Sequence, residues 1–197
     1  MNGLREKLRS MYAHDATVLA GIENGSVQGI PLTKGKITIV DADDYEWLSQ
    51  WKWSAHKSYY MFYAERHTYP NGNDVVVKMH RAILGLSYGD GKIVDHRSRD
   101  GLDNRRTNLR IASRSLNKYN CKLYRNNTSG YRGVHWWKTA CKWKAYININ
   151  GKRKSLGHHP TAIDAAIAYD KSAIDIWGND ARLNFPDKRS EYVSEHI

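Results

Sequence analysis

Apolar residues first recur at Leu4, Leu8, Met11 and Tyr12, a spacing of i, i+4, i+7 and i+8 that predicts a short amphipathic helix. Asp15 to Ile30 carries only a weak pattern broken by several glycines. From Ile30 the pattern sharpens. It predicts a strand over Ile37 to Val40 and a helix capped by Asp43 or Asp44 that carries Tyr45, Trp47 and Leu48. Strands follow over Trp51 to Ala55 and Tyr59 to Arg66, then a turn at Pro70 to Asn73 and a returning strand over Val75 to Lys78. Met79 to Leu86 reads as a short helix with Ile83 and Leu86 inward.

The stretch Lys92 to Cys121 organises the chain. Ile93 and Val94 open a strand that ends on Asp95 and His96, and a polar, turn-rich loop runs from Arg97 to Thr107. A second strand covers Leu109 to Ala112. Ser113 is placed to cap a helix running through Asn117 to about Cys121.

The polar stretch from Lys122 to Gly130 marks a domain boundary, with the linker at 125–130. Beyond it, Tyr131 to Trp137 reads as a strand. Lys142 to Ile149 alternates, with Trp143, Ala145, Ile147 and Ile149 on one face and Lys142, Lys144, Tyr146 and Asn148 on the other. Asn150-Gly151 is a two-residue hairpin turn. Its register sets Ile149 against Lys152 and Asn148 against Arg153. Arg153 and Ser155 then share the polar face, while Lys152 and Lys154 sit at the edge of the apolar face and snorkel. Thr161 caps a helix reaching Trp177, whose alanines (Ala162, Ala165, Ala166, Ala168, Ala173) let it approach a sheet, with Ile163, Ile167 and Ile174 filling the gap. The class is α+β, divided as 1–29, 30–124, the linker, 131–187 and a tail at 188–197. The first 29 residues are either a docking segment or a mobile leader.

Charge changes the picture. The net charge is +11 over 197 residues, and from Asn104 to Ile163 there are 14 Lys and Arg with no Asp or Glu. A field of one sign on ordered strands attracts polyanions, with nucleic acid the first candidate. No long apolar segment or basic amphipathic helix points to a membrane. Two cysteines, Cys121 and Cys141, without a CxxC pair argue against a zinc finger or a disulfide framework. They read as reduced thiols of an intracellular protein, in the cytoplasm of a bacterial or phage-infected cell, and no signal peptide is apparent.

Phosphodiester hydrolysis needs a base for the attacking water and positive charge at the leaving oxygen. His96 is a suitable base. Asp95 and Asn117 offer oxygen ligands suited to a hard cation, Mg2+ or Mn2+. Adjacent strand residues face opposite ways, so Asp95 can face a metal while His96 faces the water. One metal would stabilise the phosphorane and the departing 3′ oxygen. Trp47, Trp51, Trp53, Tyr59, Tyr60, Phe62 and Tyr63 read as a core with amphipathic tips, with base stacking as the alternative.

Asp95-His96, Asp100-Gly101, Asp103 to Arg105, Asn108 to Arg110 and Asn117 resemble the HNH, or ββα-metal, nuclease motif in its homing-endonuclease branch. The resemblance implies His96 as general base, Asn108 as the residue holding the loop and orienting the base, and Asn117 and Asp95 as metal ligands. Ile30 to Lys36 and the His80-Arg81 segment also resemble the region preceding that motif. His80 either touches phosphate, supports the site, or is a buried histidine with a satisfied hydrogen bond. Arg81 is a candidate phosphate contact.

The second half resembles the DNA-binding domain of plant ethylene-response-factor (Apetala-type) regulators. The resemblance rests on Tyr131 to Val134, Trp143 to Ala145 with Ile147, Leu156-Gly157, Ala168 to Asp170 and Leu183 to Pro186. It implies a three-stranded sheet on one helix, docking its outer face in the major groove. Arg132, His135, Lys144, Tyr146, Asn148, Arg153 and Ser155 would face the DNA. His135 and Trp137 stand where the plant pattern has arginines, and Ser155 where it has tryptophan, so the plant target does not carry over. Together the readings describe a site-directed, homing-type endonuclease on double-stranded DNA that nicks as a monomer and needs no obligatory protein partner. The alternative is a non-cleaving DNA-binding regulator with an idle HNH fold.

Overall fold

The weakly patterned start of the chain folds into two helices with their own core. In the computed structural model, which describes residues 2–58, 61–113, 116, 117, 120, 123 and 126–194, α1 spans Asn2–Met11 and α2 spans Ala16–Asn24. The Asp15 carboxylate caps α2 by accepting from the Thr17 and Val18 amides, both at 3.0 Å. Leu8, Tyr12, Val18 and Ile22 close over Val27, Ile37 and Ile39. The last three belong to an antiparallel hairpin of β1 (Val27–Pro31) and β2 (Ile37–Asp41).

The architecture is mixed, with antiparallel sheets, and contacts divide the chain into two units, 1–112 and 113–197. In the first, β3 (Ser54–Ser58), β4 (Met61–Thr68) and β5 (Val75–Lys78) form a three-stranded sheet. It shares a core of Val40, Leu48, Trp53, Ala64, Met79, Ile83, Leu102 and Leu109 with α3 (Ala42–Ser49) and α4 (Met79–Ile83). A two-stranded ladder, β6 (Ile93–His96) with β7 (Leu109–Ala112), completes this unit.

Local signals misplace several boundaries. The expected strand from Trp51 starts at Ser54, because Trp51 stays half exposed under the Arg66 guanidinium, 4.1 Å from its ring. Trp53 instead goes into the core, its indole donating to the Leu48 carbonyl at 2.8 Å. Tyr59 and Tyr60 lie outside the described residues. Neither Asp43 nor Asp44 caps α3; Asp41 holds that position without a cap bond. Asp41 and Asp44 bind Arg106 instead, through its amide and its guanidinium respectively, each at 2.7 Å. The helix expected to reach Leu86 stops at Ile83, ahead of Gly85 in the left-handed region (φ 65°).

In the second unit the Ser113 hydroxyl accepts from the Leu116 amide at 3.1 Å, a capping bond at the start of the helical turn that carries Asn117. The rest of that expected helix falls mainly outside the described residues. The sheet is ordered β10 (Lys152–His159), β9 (Lys142–Ile149), β8 (Val134–Trp137). Its first strand starts at Val134 rather than Tyr131, since Gly133 turns at φ 72° with the Tyr169 ring and Tyr146 carbonyl where a Cβ would go. Against the sheet lies α5 (Ala162–Trp177), where Ala165 and Ala166 pack on Val134 and Ala145. Thr161 accepts from the Asp164 amide at the helix start. Ile163, expected to fill the gap, is 51% exposed. Asp170, wholly buried, accepts from the Asn184 and Phe185 amides at 2.7 and 2.8 Å, and Asn184 in turn accepts from the Arg132 amide. Burial pushes the Asp170 carboxyl above its ordinary range despite these bonds.

Candidate active site

Strand β6 delivers Asp95 and His96 side by side, both buried, and alternation sends them to opposite faces. Asp95 stands directly across the ladder from Arg110. The Arg110 guanidinium donates from Nε (2.9 Å) and Nη2 (2.6 Å) to Asp95 Oδ2, with both side chains only 7% exposed. This short, charge-assisted pair fixes the carboxylate.

His96 lies among other side chains. Its ring centroid is 5.1 Å from that of His80, edge-on, and 5.8 Å from that of Tyr63. Its Nε2 is 3.2 Å from Oδ1 of Asn104, which is wholly buried. Burial lowers the affinity of His96 for a proton, with the Asn104 bond and nearby acids acting against it. The imidazole is therefore neutral at physiological pH, the form a base requires.

The loop between the strands is locked at several points. Asn108 Oδ1 accepts from the Ser98 amide at 2.8 Å, and its Nδ2 donates to the Asp103 carbonyl at 2.7 Å. Asn108 thus holds the loop, while the contact to His96 comes from Asn104; the two duties expected of Asn108 fall on two asparagines. Asn104 is further tied to β2. Its Nδ2 donates to the Thr38 hydroxyl at 2.8 Å, and its amide donates to the Ile39 carbonyl, also at 2.8 Å. Gly101 lies where a Cβ would overlap the Phe62 carbonyl and the Tyr63 ring, so the loop can lie against β4 only with glycine there. The N-terminal helices reach this loop too: the buried Tyr12 phenol donates to Asp100 at 3.2 Å, and burial with that carboxylate raises its pKa. The N-terminal segment, expected as a docking segment or a mobile leader, buttresses the loop.

His80 is 7% exposed, and its Nδ1 has no hydrogen-bond partner among the described residues, unlike the satisfied buried histidine that was one expectation. Arg81, the candidate phosphate contact, is engaged within its own unit. Its guanidinium donates to the Lys92 and Ser87 carbonyls and to Asp90, pinning the 87–92 turn. Nor are all fourteen basic residues a field for DNA, because Arg105, Arg106 and Arg110 are neutralised by Asp103, Asp44 and Asp95. Arg114, Lys118, Lys122 and Arg125 fall outside the described residues.

Asn117 belongs to the second unit. Its amide donates to the Ser113 carbonyl at 3.0 Å, and the neighbouring Leu116 packs on the cluster of Ile147, Tyr169 and Ala173. One turn on, the Asn120 carbonyl accepts from Arg182 at 2.9 Å. Among the described residues no three His, Cys, Asp or Glu gather into a cage. A carboxylate such as that of Asp95 suits a hard divalent cation that takes its remaining ligands from water and phosphate oxygens.

The hairpin is in the expected register, with Asn148 paired to Arg153 and Tyr146 to Ser155, and on the other side of β9 His135 pairs with Lys144. The Arg153 guanidinium lies 4.2 Å from the Tyr146 ring centroid, and His135 meets the same ring edge-on. Arg132 lies before β8, with its amide bound to Asn184. Sequence reasoning missed His158. A bulge between Ser155 and His158 shifts the alternation of β10, so His158 pairs with Lys144 and stacks on Trp137 at 4.6 Å. Gly157, at φ 98° in the bulge, was the available signal. Arg110 was foreseen as part of a strand, of the Asn108 to Arg110 segment and of the basic stretch, but not as the partner of Asp95, and Thr38 carried no local sign at all.

A model for the HNH endonuclease family matches residues 77–119. Over 157 residues the chain is 30% identical to an uncharacterized HNH endonuclease of Acanthamoeba polyphaga mimivirus, covering 77% of this chain and 76% of that protein. The chain belongs to the HNH endonuclease family. It is also 33% identical over 66 residues to protein 3.8 of Escherichia phage T7, covering 34% of this chain and 54% of that one. A dehydration-responsive element-binding protein 2A of rice (Oryza sativa subsp. indica) is 43% identical over 68 residues, 34% of this chain. The chain spans about a quarter (24%) of the length of that plant protein. No solved structure matches the chain. Among the described residues, no helix of this HNH family member is long and apolar enough to cross a membrane.

Proposed function

We propose that this chain is a metal-dependent, site-directed DNA endonuclease of the homing type. The 30–124 region hydrolyses one strand near a site chosen by the sheet of the 131–187 region. The observation that carries the reading is the buried Asp95-His96 pair, each member fixed by a partner of its own: Arg110 for the carboxylate, Asn104 for the imidazole. A base that must meet a water at one angle needs such orientation.

In this reading His96, neutral through burial, takes the proton of the attacking water. Asp95 and Asn117 hold a divalent metal, Mg2+ or Mn2+. When bound, that cation supplies Lewis-acid stabilisation of the phosphorane and the departing 3′ oxygen. Arg110 keeps the Asp95 carboxylate in one orientation, and Asn108 holds the loop that frames both residues. Having one such site, a monomer nicks.

The groove-facing set is Arg132, His135, Lys144, Tyr146, Asn148, Arg153 and Ser155, now joined by His158. Lys144 and Arg153 supply backbone attraction and the polar side chains supply base contacts. The partial likeness to the rice protein, whose name states DNA-element binding, supports this half of the reading. The test is nicking of duplex DNA by the full chain with Mg2+ or Mn2+. His96→Ala is expected to abolish nicking while leaving DNA affinity intact.

A further inference from the structure

Hydrogen-bond direction along one buried chain of groups determines more than the position of His96. The Leu102 carbonyl can only accept. It takes the Thr38 hydroxyl proton at 2.7 Å and the Ile39 amide at 2.9 Å. Having given its one proton to Leu102, Thr38 Oγ1 can only accept from Asn104, which meets it at 2.8 Å. The Asn104 amide is thereby oriented, with Nδ2 toward Thr38 and Oδ1 toward His96. An amide oxygen carries no proton, so His96 Nε2 must supply the one in their 3.2 Å contact.

We infer that Thr38 and Asn104 are positioning residues that set the tautomer of His96: Nε2 carries the hydrogen and Nδ1 carries the basic lone pair. The inference rests on the nuclease reading only in assigning the lone pair a use. The tautomer itself follows from donor and acceptor counting. Thr38 and Asn104 are wholly buried, so water does not compete for their bonds. The same stretch anchors the loop, since the Asn104 backbone amide donates to the Ile39 carbonyl and the Ile39 amide to the Leu102 carbonyl, on either side of the Ile39–Asp103 bridge. The chain that fixes the tautomer thus also fixes where the imidazole stands.

Thr38→Val keeps the shape and removes the hydroxyl. Asn104 Nδ2 then faces a methyl group, and an orphaned buried N–H is less tolerated than an orphaned carbonyl. The amide gains by turning over, which presents Nδ2 to His96 and moves the imidazole hydrogen to Nδ1. A histidine base in the wrong tautomer loses most of its activity.

The experiment is nitrogen-15 NMR of the His96 ring in the full chain, without metal, under mildly alkaline conditions where the imidazole is neutral. It is paired with single-turnover nicking by the same proteins. Wild type and Thr38→Ser are expected to show the Nε2–H pattern. Thr38→Val is expected to move toward Nδ1–H and to nick at least about ten-fold more slowly, with DNA affinity unchanged. An Nδ1–H pattern in wild type overturns the inference without any variant, so a Thr38→Val chain that fails to fold does not remove the test. An unchanged Nε2–H pattern in folded Thr38→Val overturns the role of Thr38. Wild type with the Nε2–H pattern but without metal-dependent nicking overturns the nuclease reading and leaves the tautomer assignment standing.

Discussion

Lowering the pH should destabilise the first unit through one residue, His80. Its ring is 7% exposed between Lys78, Arg81 and His96, and its Nδ1 is unpartnered among the described residues. Burial, reinforced by these neighbours, pushes its pKa down from 6.5 to about 3. The unfolded chain takes up a proton near the ordinary value, whereas the folded chain does so only near the lowered one. Between the two, the unfolded state binds the extra proton. Stability from this group is therefore whole above the ordinary value and drains away as the pH falls toward 3. From pH 7 to pH 5 the loss is about 2 kcal/mol for His80 alone. The assay is native-state hydrogen exchange of the strand and helix amides around Met79 in the full chain with EDTA, at both pH values. His80→Phe keeps an aromatic edge against His96 and cannot titrate. Its acid loss should be about 2 kcal/mol smaller than that of wild type. His96 is also pushed down by burial, but it titrates in both proteins and largely cancels in the difference. Equal acid losses in the two proteins would refute the reasoning.

Arg110→Ala leaves the buried Asp95 carboxylate without its guanidinium and should cost about 3–5 kcal/mol in urea unfolding; a loss below about 1 kcal/mol would mean that the pair is not buried in solution. Gly133→Ala places a Cβ on the Tyr169 ring at a positive φ, so the second unit should lose about 1–3 kcal/mol with the first unaffected. Arg153→Ala should weaken duplex binding and reduce the slope of log K against log salt by about 0.9 if Arg153 contacts one phosphate. An unchanged slope would assign Arg153 to the Tyr146 stack alone.

What the sequence made legible was local. Asn150-Gly151 fixed the hairpin register, and the observed pairing of Asn148 with Arg153 follows from it. Ser113 caps as its position implied. What stayed hidden was set by tertiary contact. The helix that ends just before Tyr12 is patterned too briefly to announce that this phenol reaches Asp100, 88 residues away. Thr38 is one more β-branched strand residue until folding sets it beside Asn104, 66 positions on. Arg110 counted as positive charge in a basic stretch; only the β6–β7 register shows that Asp95 neutralises it. A single bulge added His158 to a face that strict alternation denied it.

The most direct measurement begins by selecting a bound duplex from a random pool with His96→Ala in EDTA, so that the substrate is known to contain the site. Supercoiled and linear DNA carrying that duplex are then incubated with wild type in Mg2+ or Mn2+. Controls are EDTA, His96→Ala and Asp95→Ala. Nicking near the selected site is expected from wild type only. A loss of about 3–4 kcal/mol of transition-state stabilisation already slows the reaction roughly a hundred- to a thousand-fold. Tight binding to that duplex with no nicking by wild type in either metal would contradict the nuclease reading and leave a DNA-binding regulator on an idle HNH scaffold.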